Sequence, residues 1–311
     1  MNKTQANLMR KFLTYLTVEK SSSLLTVGNY ERDIKSFAEF LLERFGEDFT
    51  WKQVGTLDIR AYLTELNKKD YSRRTIARRI SALRSFYKYM VRENILESNP
   101  FTKVKTPKLE KKLPVFLEEV EINELLELPD TEGLGLRDQA ILELLYATGC
   151  RVSELVSMRI DDIEDGRLIV HGKGEKDRMV YLNAKAQIAL EKYMKERRDT
   201  NPYIFPKMVS VVDLKRKNDR CSYRYPENVI EDGHMGKSSV EAMVRRIGKR
   251  AGVPGVHPHR FRRTCATFAL RRGMPIEQVS KMLGHEQIST TQIYLDMNET
   301  ELEQAHKKYV I

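Results

Sequence analysis

Helical periodicity runs through almost every stretch of this chain long enough to show a period, and only residues 167–182 alternate with period two. A mainly α protein with one small antiparallel β-element is therefore expected. With 311 residues, 41% of them hydrophobic, the chain can build about two domains with their own cores. In the first third, Leu8, Phe12, Leu13 and Leu16 form one apolar stripe, and Tyr30, Ile34, Phe37, Phe40 and Leu41 a second. Leu57, Tyr62, Leu63 and Leu66 give a third, over residues 58–66. A fourth helix, from about Ser72 to Glu93, carries Ile76, Ile80, Leu83, Tyr87 and Met90 in one arc. Arg74, Arg78, Arg84, Lys88 and Arg92 fall on its other side.

Charge divides the chain as sharply as periodicity does. Residues 1–114 hold 23 Lys+Arg against 13 Asp+Glu, and the remainder holds 31 of each, so the whole net charge of +10 lies in the first third. A solvated face shows opposed arcs too, but five cations in five places on one helix suit a polyanion, most simply nucleic acid. Residues 1–98 are expected to be an N-terminal DNA-binding domain. Residues 99–114, with three prolines, a run of lysines and little periodicity, read as an extended basic linker, with Lys103 and Lys105 against DNA. No apolar run approaches the roughly 18 residues of a membrane span, and no signal-peptide core opens the chain. Cys150, Cys221 and Cys265 form no CxxC pair. A soluble, cytoplasmic protein is expected.

A second domain, 115–311, carries helical patterns at 117–128, 136–148, 151–158, 184–197, 239–251, 260–272, 276–283 and 290–293. Residues 167–182 read as a β-hairpin around a glycine-bearing turn. Leu302, Ala305 and Tyr309 give a terminal amphipathic helix over 300–309. Residues 207–237 fit either a loop with a short strand or an inserted element.

Singly, the polar residues here are ordinary surface or capping groups. Together they describe attack on a phosphodiester. Arg151 and Arg262 suit the charged non-bridging oxygens, because a guanidinium binds bidentately and stays protonated. His259 and His285 can donate to those oxygens or take the nucleophile's proton. Tyr294 is a feasible nucleophile, and Lys173, in the hairpin turn, can protonate the leaving 5′ oxygen. Fixed cations supply the electrostatics, so no metal is called for. His257, His259 and His171 lack a third ligand at metal-site spacing.

The segments GCRVSEL (149–155), HGKGEKDR (171–178), HPHRFRRTCAT (257–267), LGH (283–285) and TTQIYLD (290–296) resemble, in order and spacing, the motifs of tyrosine recombinases, nearest the simple Xer-type and transposon-integrase branch. The resemblance covers essentially the whole chain. It implies a SAM-like core-binding domain of four helices and a mostly α catalytic domain with a small antiparallel sheet, together closing as a C-shaped clamp on DNA. It implies Arg151 and Arg262 as phosphate clamp, Lys173 as leaving-group acid, His259 and His285 as acid/base and phosphate ligands, Tyr294 as nucleophile, and Glu154 as support behind them. It also implies a covalent 3′-phosphotyrosyl intermediate, double-stranded DNA with paired inverted core sites, and a homo-tetramer joined through the C-terminal helix. Because the helical module begins almost at Met1, no arm-binding domain is expected before it. Arg263 and Cys265 depart from residues common in the family. Two other readings share these residues: a type IB topoisomerase-like relaxing enzyme, and a catalytically silent DNA-binding regulator. The presence of all six catalytic residue types disfavours the second.

Overall fold

The computed structural model describes residues 3–108, 115–130, 132–172, 177–208, 230–294 and 306–307. The chain divides into two compact units, at Lys111/Lys112.

The first unit is built on α1 (Lys3–Val18), α2 (Leu24–Phe45), α3 (Thr56–Lys68) and α4 (Arg73–Arg92). Ser23 and Ser72 start α2 and α4, each accepting the backbone N–H of the residue three on. The apolar stripes meet in an aromatic core of Phe12, Phe37, Trp51, Phe86, Tyr87 and Phe101. Trp51 and Phe86 pack edge to face at 5.1 Å. Gln5 fixes the indole from α1, accepting from the Trp51 backbone N–H and receiving the ring N–H at its carbonyl. Leu57 is a correction to the α3 stripe: it is 74% exposed, and the buried row is Ile59, Tyr62 and Leu66. Leu57 stands in the first turn of α3, on the side away from α2 and α4.

The linker reading needs a second correction. Pro100–Lys103 form a 3-10 turn that folds back onto the first unit, with Phe101 and Val104 in its core. Asn99 donates to the Arg84 carbonyl and Arg84 to that of Val104. Lys103 and Lys105 remain exposed. Proline and lysine content suggested an extended segment, but the aromatic pocket of α2 and α4 captures Phe101.

The second unit contains α5 (Glu119–Glu127), α6 (Leu134–Thr148), α7 (Val152–Ser157), α8 (Ala184–Glu196), α9 (Lys237–Arg250), α10 (Pro258–Arg271), α11 (Ile276–Leu283) and α12 (Ser289–Gln292). Helix α6 is buried on nearly all sides, as a central helix should be, with Arg137, Asp138 and Glu143 among its buried residues, and packs against α8 and α10. A three-stranded antiparallel sheet, β1 (Ile163–Glu164), β2 (Arg167–His171) and β3 (Asp177–Tyr181), turns Leu168, Val170 and Val180 into the same core. The hairpin expected over 167–182 is β2–β3, in register Leu168↔Val180 and Val170↔Arg178. Strands β4 (Pro206–Met208) and β5 (Ile230–His234) pair antiparallel, so the segment over 207–237 begins and ends in strand. Residues 209–229 lie outside the described residues, as do Lys173, Cys221 and all of the terminal helix but His306 and Lys307, which are helical. Among the described residues, no helix is long and apolar enough to cross a membrane.

Phe86→Ala is expected to destabilise the first unit by about 3–5 kcal/mol. Trp51, the chain's single tryptophan, sits against that ring. Its emission should therefore report the loss as a lower urea midpoint.

Candidate active site

Two helix ends and one buried arginine organise the site. Helices α6 and α11 both stop in glycines with left-handed backbone, Gly149 at φ 58° and Gly284 at φ 66°. A Cβ on Gly149 would lie 2.8 Å from the Leu283 side chain, so the two ends need a residue without one to meet. Arg262, on the second turn of α10 and only 3% exposed, lies between them. It donates to the carbonyls of Gly149 at 2.8 Å and Leu283 at 2.7 Å. These acceptors stand at the negative ends of two helix dipoles. Burial, then the charge of Arg151, lowers its pKa to about 10, which leaves it protonated at neutral pH.

Arg151 caps the start of α7 and is partly open to solvent. Below it Glu154, 4% exposed, accepts the Arg151 backbone N–H at 2.8 Å and its guanidinium at 2.7 Å. A third arginine, Arg178 on β3, binds the same carboxylate at 2.8 and 3.2 Å and the Met282 carbonyl of α11 at 2.9 Å. Burial pushes the Glu154 pKa up, but the hydrogen bonds from Arg178 and Arg151 outweigh it and hold the group at about 2. Arg178 is the residue that sequence reasoning missed. It lies within the 171–178 motif, but on an alternating strand an arginine reads as a solvent-facing side chain.

His285 follows Gly284, and its Nδ1 is 2.8 Å from the Thr291 hydroxyl, itself fully buried. Loss of hydration, then the charges of Arg262, Arg151 and Arg178, lowers its pKa to about 4. His259, on the first turn of α10, is lowered by the same desolvation, then by Arg262, His257, Arg263 and Arg151. Both imidazoles are neutral at pH 7. Tyr294 follows α12, its ring stacked 6.3 Å from that of His285 and resting against the small cluster of Ala266, Val279 and Leu283. The structure thus gathers Arg151, Glu154, Arg262, His259, His285 and Tyr294; Lys173 falls outside the described residues. Among the described residues, no three His, Cys, Asp or Glu side chains converge as a metal site would require. Burial raises the thiols of Cys150 and Cys265 to about 11 and about 12.

Three guanidiniums against one carboxylate leave the pocket with excess positive charge, which is what an anionic reacting group needs. In the first unit, Arg74 and Lys88 project from α4 with no ion pair or hydrogen bond among the described residues. The other three cations of that arc are engaged. Arg78 pairs with buried Asp33, Arg84 holds the Val104 carbonyl, and Arg92 pairs with Glu19 over the Tyr15 ring.

Residues 115–301 match the model of the phage integrase family, and residues 9–94 that of the phage integrase N-terminal SAM-like domain. The chain is 38% identical over 301 residues to tyrosine recombinase XerC of Oceanobacillus iheyensis, covering 96% of this chain and 93% of that one. It is also 38% identical over 306 residues to tyrosine recombinase XerC of Bacillus subtilis, covering 97% and 96%. Among solved structures, XerA recombinase matches at 28% identity and a TM-score of 0.51 over 99% of both chains. A lambda integrase dimer bound to a COC′ core site shares the fold, with a TM-score of 0.71, 17% identity and 94% and 95% coverage. The chain belongs to the phage integrase family and is a site-specific tyrosine recombinase.

The fall of the Glu154 pKa from 4.5 to about 2 corresponds to about 3 kcal/mol of folding stability at neutral pH. A depressed carboxylate contributes fully above its unfolded pKa, and the contribution is lost as pH falls towards 2. Between pH 7 and pH 3, Glu154→Gln should therefore lose less stability than the parent chain, starting from a lower value. Urea unfolding followed by circular dichroism at the two pH values measures both.

Proposed function

We propose that the arginine cluster holds the scissile phosphate of double-stranded DNA while Tyr294 attacks it. The carrying observation is the excess of guanidinium over carboxylate between Gly149 and Leu283, with Tyr294 alongside. In this reading Arg151, the most accessible of the three arginines, and Arg262 bind the non-bridging oxygens. The Tyr294 oxygen bonds to phosphorus as the bond to the 5′ oxygen breaks. The phenol proton passes to an imidazole, His259 or His285, both lowered in pKa by loss of hydration and then by their cationic neighbours. Lys173 gives a proton to the departing 5′ oxygen. The 3′-phosphotyrosyl ester keeps the bond energy, so the 5′ hydroxyl of a partner strand can reverse the step without ATP.

Around this chemistry we place the finer assignments. The cations of α4 and the basic segment with Lys103 and Lys105 meet DNA phosphates. Two inverted core sites bring together four protomers, joined through the C-terminal helix. The enzyme works in the cytoplasm. Likeness to proteins named XerC favours resolution of chromosome or plasmid dimers over movement of an element. Supercoil relaxation by a monomer, without exchange between duplexes, would instead mark a topoisomerase.

On a nicked suicide duplex, the parent chain should form a covalent adduct that Tyr294→Phe cannot form, seen as a shifted band in a denaturing gel. Arg151→Ala should lose the adduct and keep binding in a mobility-shift assay. An adduct in Tyr294→Phe would remove the nucleophile assignment. Affinity should fall steeply with salt. Replacing Arg74 and Lys88 by Gln should reduce the slope of log K against log salt by about 1 each. Arg92→Gln, already paired within the fold, should change it less.

A further inference from the structure

The first two residues of β3 are each held by their side chains, and one of the two holds involves no group of the phosphate cluster described above. Asp177 pairs with His171 at the rung from which the turn departs. The side chain of the next residue, Arg178, is held by Glu154 and the Met282 carbonyl. At Asp177 the grip is made by His171. Its Nδ1 lies 3.0 Å from the Asp177 carboxylate and its Nε2 3.3 Å from Asp162. Asp162 is itself fixed, because its other oxygen accepts the Arg159 backbone N–H at 2.8 Å. Arg159 is held in turn by a bridge to Tyr203, whose ring its guanidinium overlies at 5.6 Å. An imidazole bonded to carboxylates through both nitrogens is best served when protonated, and both partners raise its pKa, Asp177 more than Asp162.

A grip at this rung matters because the residues between the two strands include Lys173. That lysine comes two residues after His171, flanked by Gly172 and Gly174, whose backbones restrain it little. A proton donor must lie within hydrogen-bond reach of the leaving oxygen, and misplacement by about 1 Å costs about 100-fold. We propose that His171, clasped between Asp162 and Asp177, is a positioning residue that fixes the strand ends flanking Lys173, so that the lysine can serve the leaving 5′ oxygen. The inference rests on the leaving-group role proposed for Lys173.

The test is single-turnover cleavage of two suicide duplexes, one with an ordinary 5′ oxygen at the scissile bond and one with a 5′-bridging sulfur. In the second, the P–S bond breaks to a thiolate that needs no proton. His171→Ala should slow cleavage of the oxygen substrate by about 10- to 100-fold and cleave the sulfur substrate at nearly the parent rate. Asp177→Asn, at an exposed position, should show the same pattern more weakly. Both variants should bind DNA and unfold in urea as the parent does. If Lys173→Ala is rescued by sulfur and His171→Ala is slowed equally on both substrates, His171 is merely structural and the proposal fails. Parent-like cleavage of the oxygen substrate by His171→Ala also overturns it. If Lys173→Ala itself is not rescued, the leaving-group role falls, and this inference falls with it.

Discussion

A guanidinium taken out of water must find acceptors, and Arg262 finds them on the carbonyls that end two helices. Hydrogen bonds from a charged donor are worth about 1.5–3 kcal/mol each, and orphaned carbonyls cost comparably. This one side chain therefore both closes the packing of α6 against α11 and carries a fixed charge into the site. Among the described residues, several others of the site are placed relative to that tie. Gly149 must be glycine for the helix ends to approach, Leu283 leads directly to His285, and α12 then sets Tyr294 beside the imidazole. Because the same two hydrogen bonds tie the fold together, the cation cannot wander.

Glu154 plays the complementary part. It accepts from both Arg151 and Arg178, and without it these guanidiniums would repel each other across the pocket beside Arg262. With it, the cluster keeps its geometry while its charge stays net positive. One carboxylate below three arginines leaves that excess in place, whereas a second would stabilise the cluster and cancel more of its charge. The first unit settles the same conflict differently. Asp33 and Glu19 neutralise Arg78 and Arg92, so Arg74, Lys88 and Arg84, the last held by the Val104 carbonyl, are left to carry the charge of that arc.

Much of this was legible in sequence because period and order are local properties. The α4 stripe, the β2–β3 hairpin and the motifs bearing Arg151, His259, Arg262, His285 and Tyr294 depend on spacing alone. What escaped depends on partners distant in the chain. Phe101 looks like part of a proline-bearing linker until α2 and α4 offer it a pocket. Leu57 looks like part of a stripe until the direction of α3 is known. Arg178 looks like a solvated strand residue until Glu154 and Met282, 24 residues before it and 104 after it, come within reach. Strands β4 and β5, separated by more than twenty residues, carry no pairing signal in either segment alone.

Charge also links substrate binding to the proton chemistry. In the empty site, His285 is lowered to about 4 by desolvation and by Arg262, Arg151 and Arg178 in turn. A phosphodiester seated on those arginines brings a negative charge into the same space, and an adjacent anion favours the protonated form of an imidazole. In the proposed reaction, phosphate binding therefore makes His285, one of the two candidate proton acceptors, a stronger base.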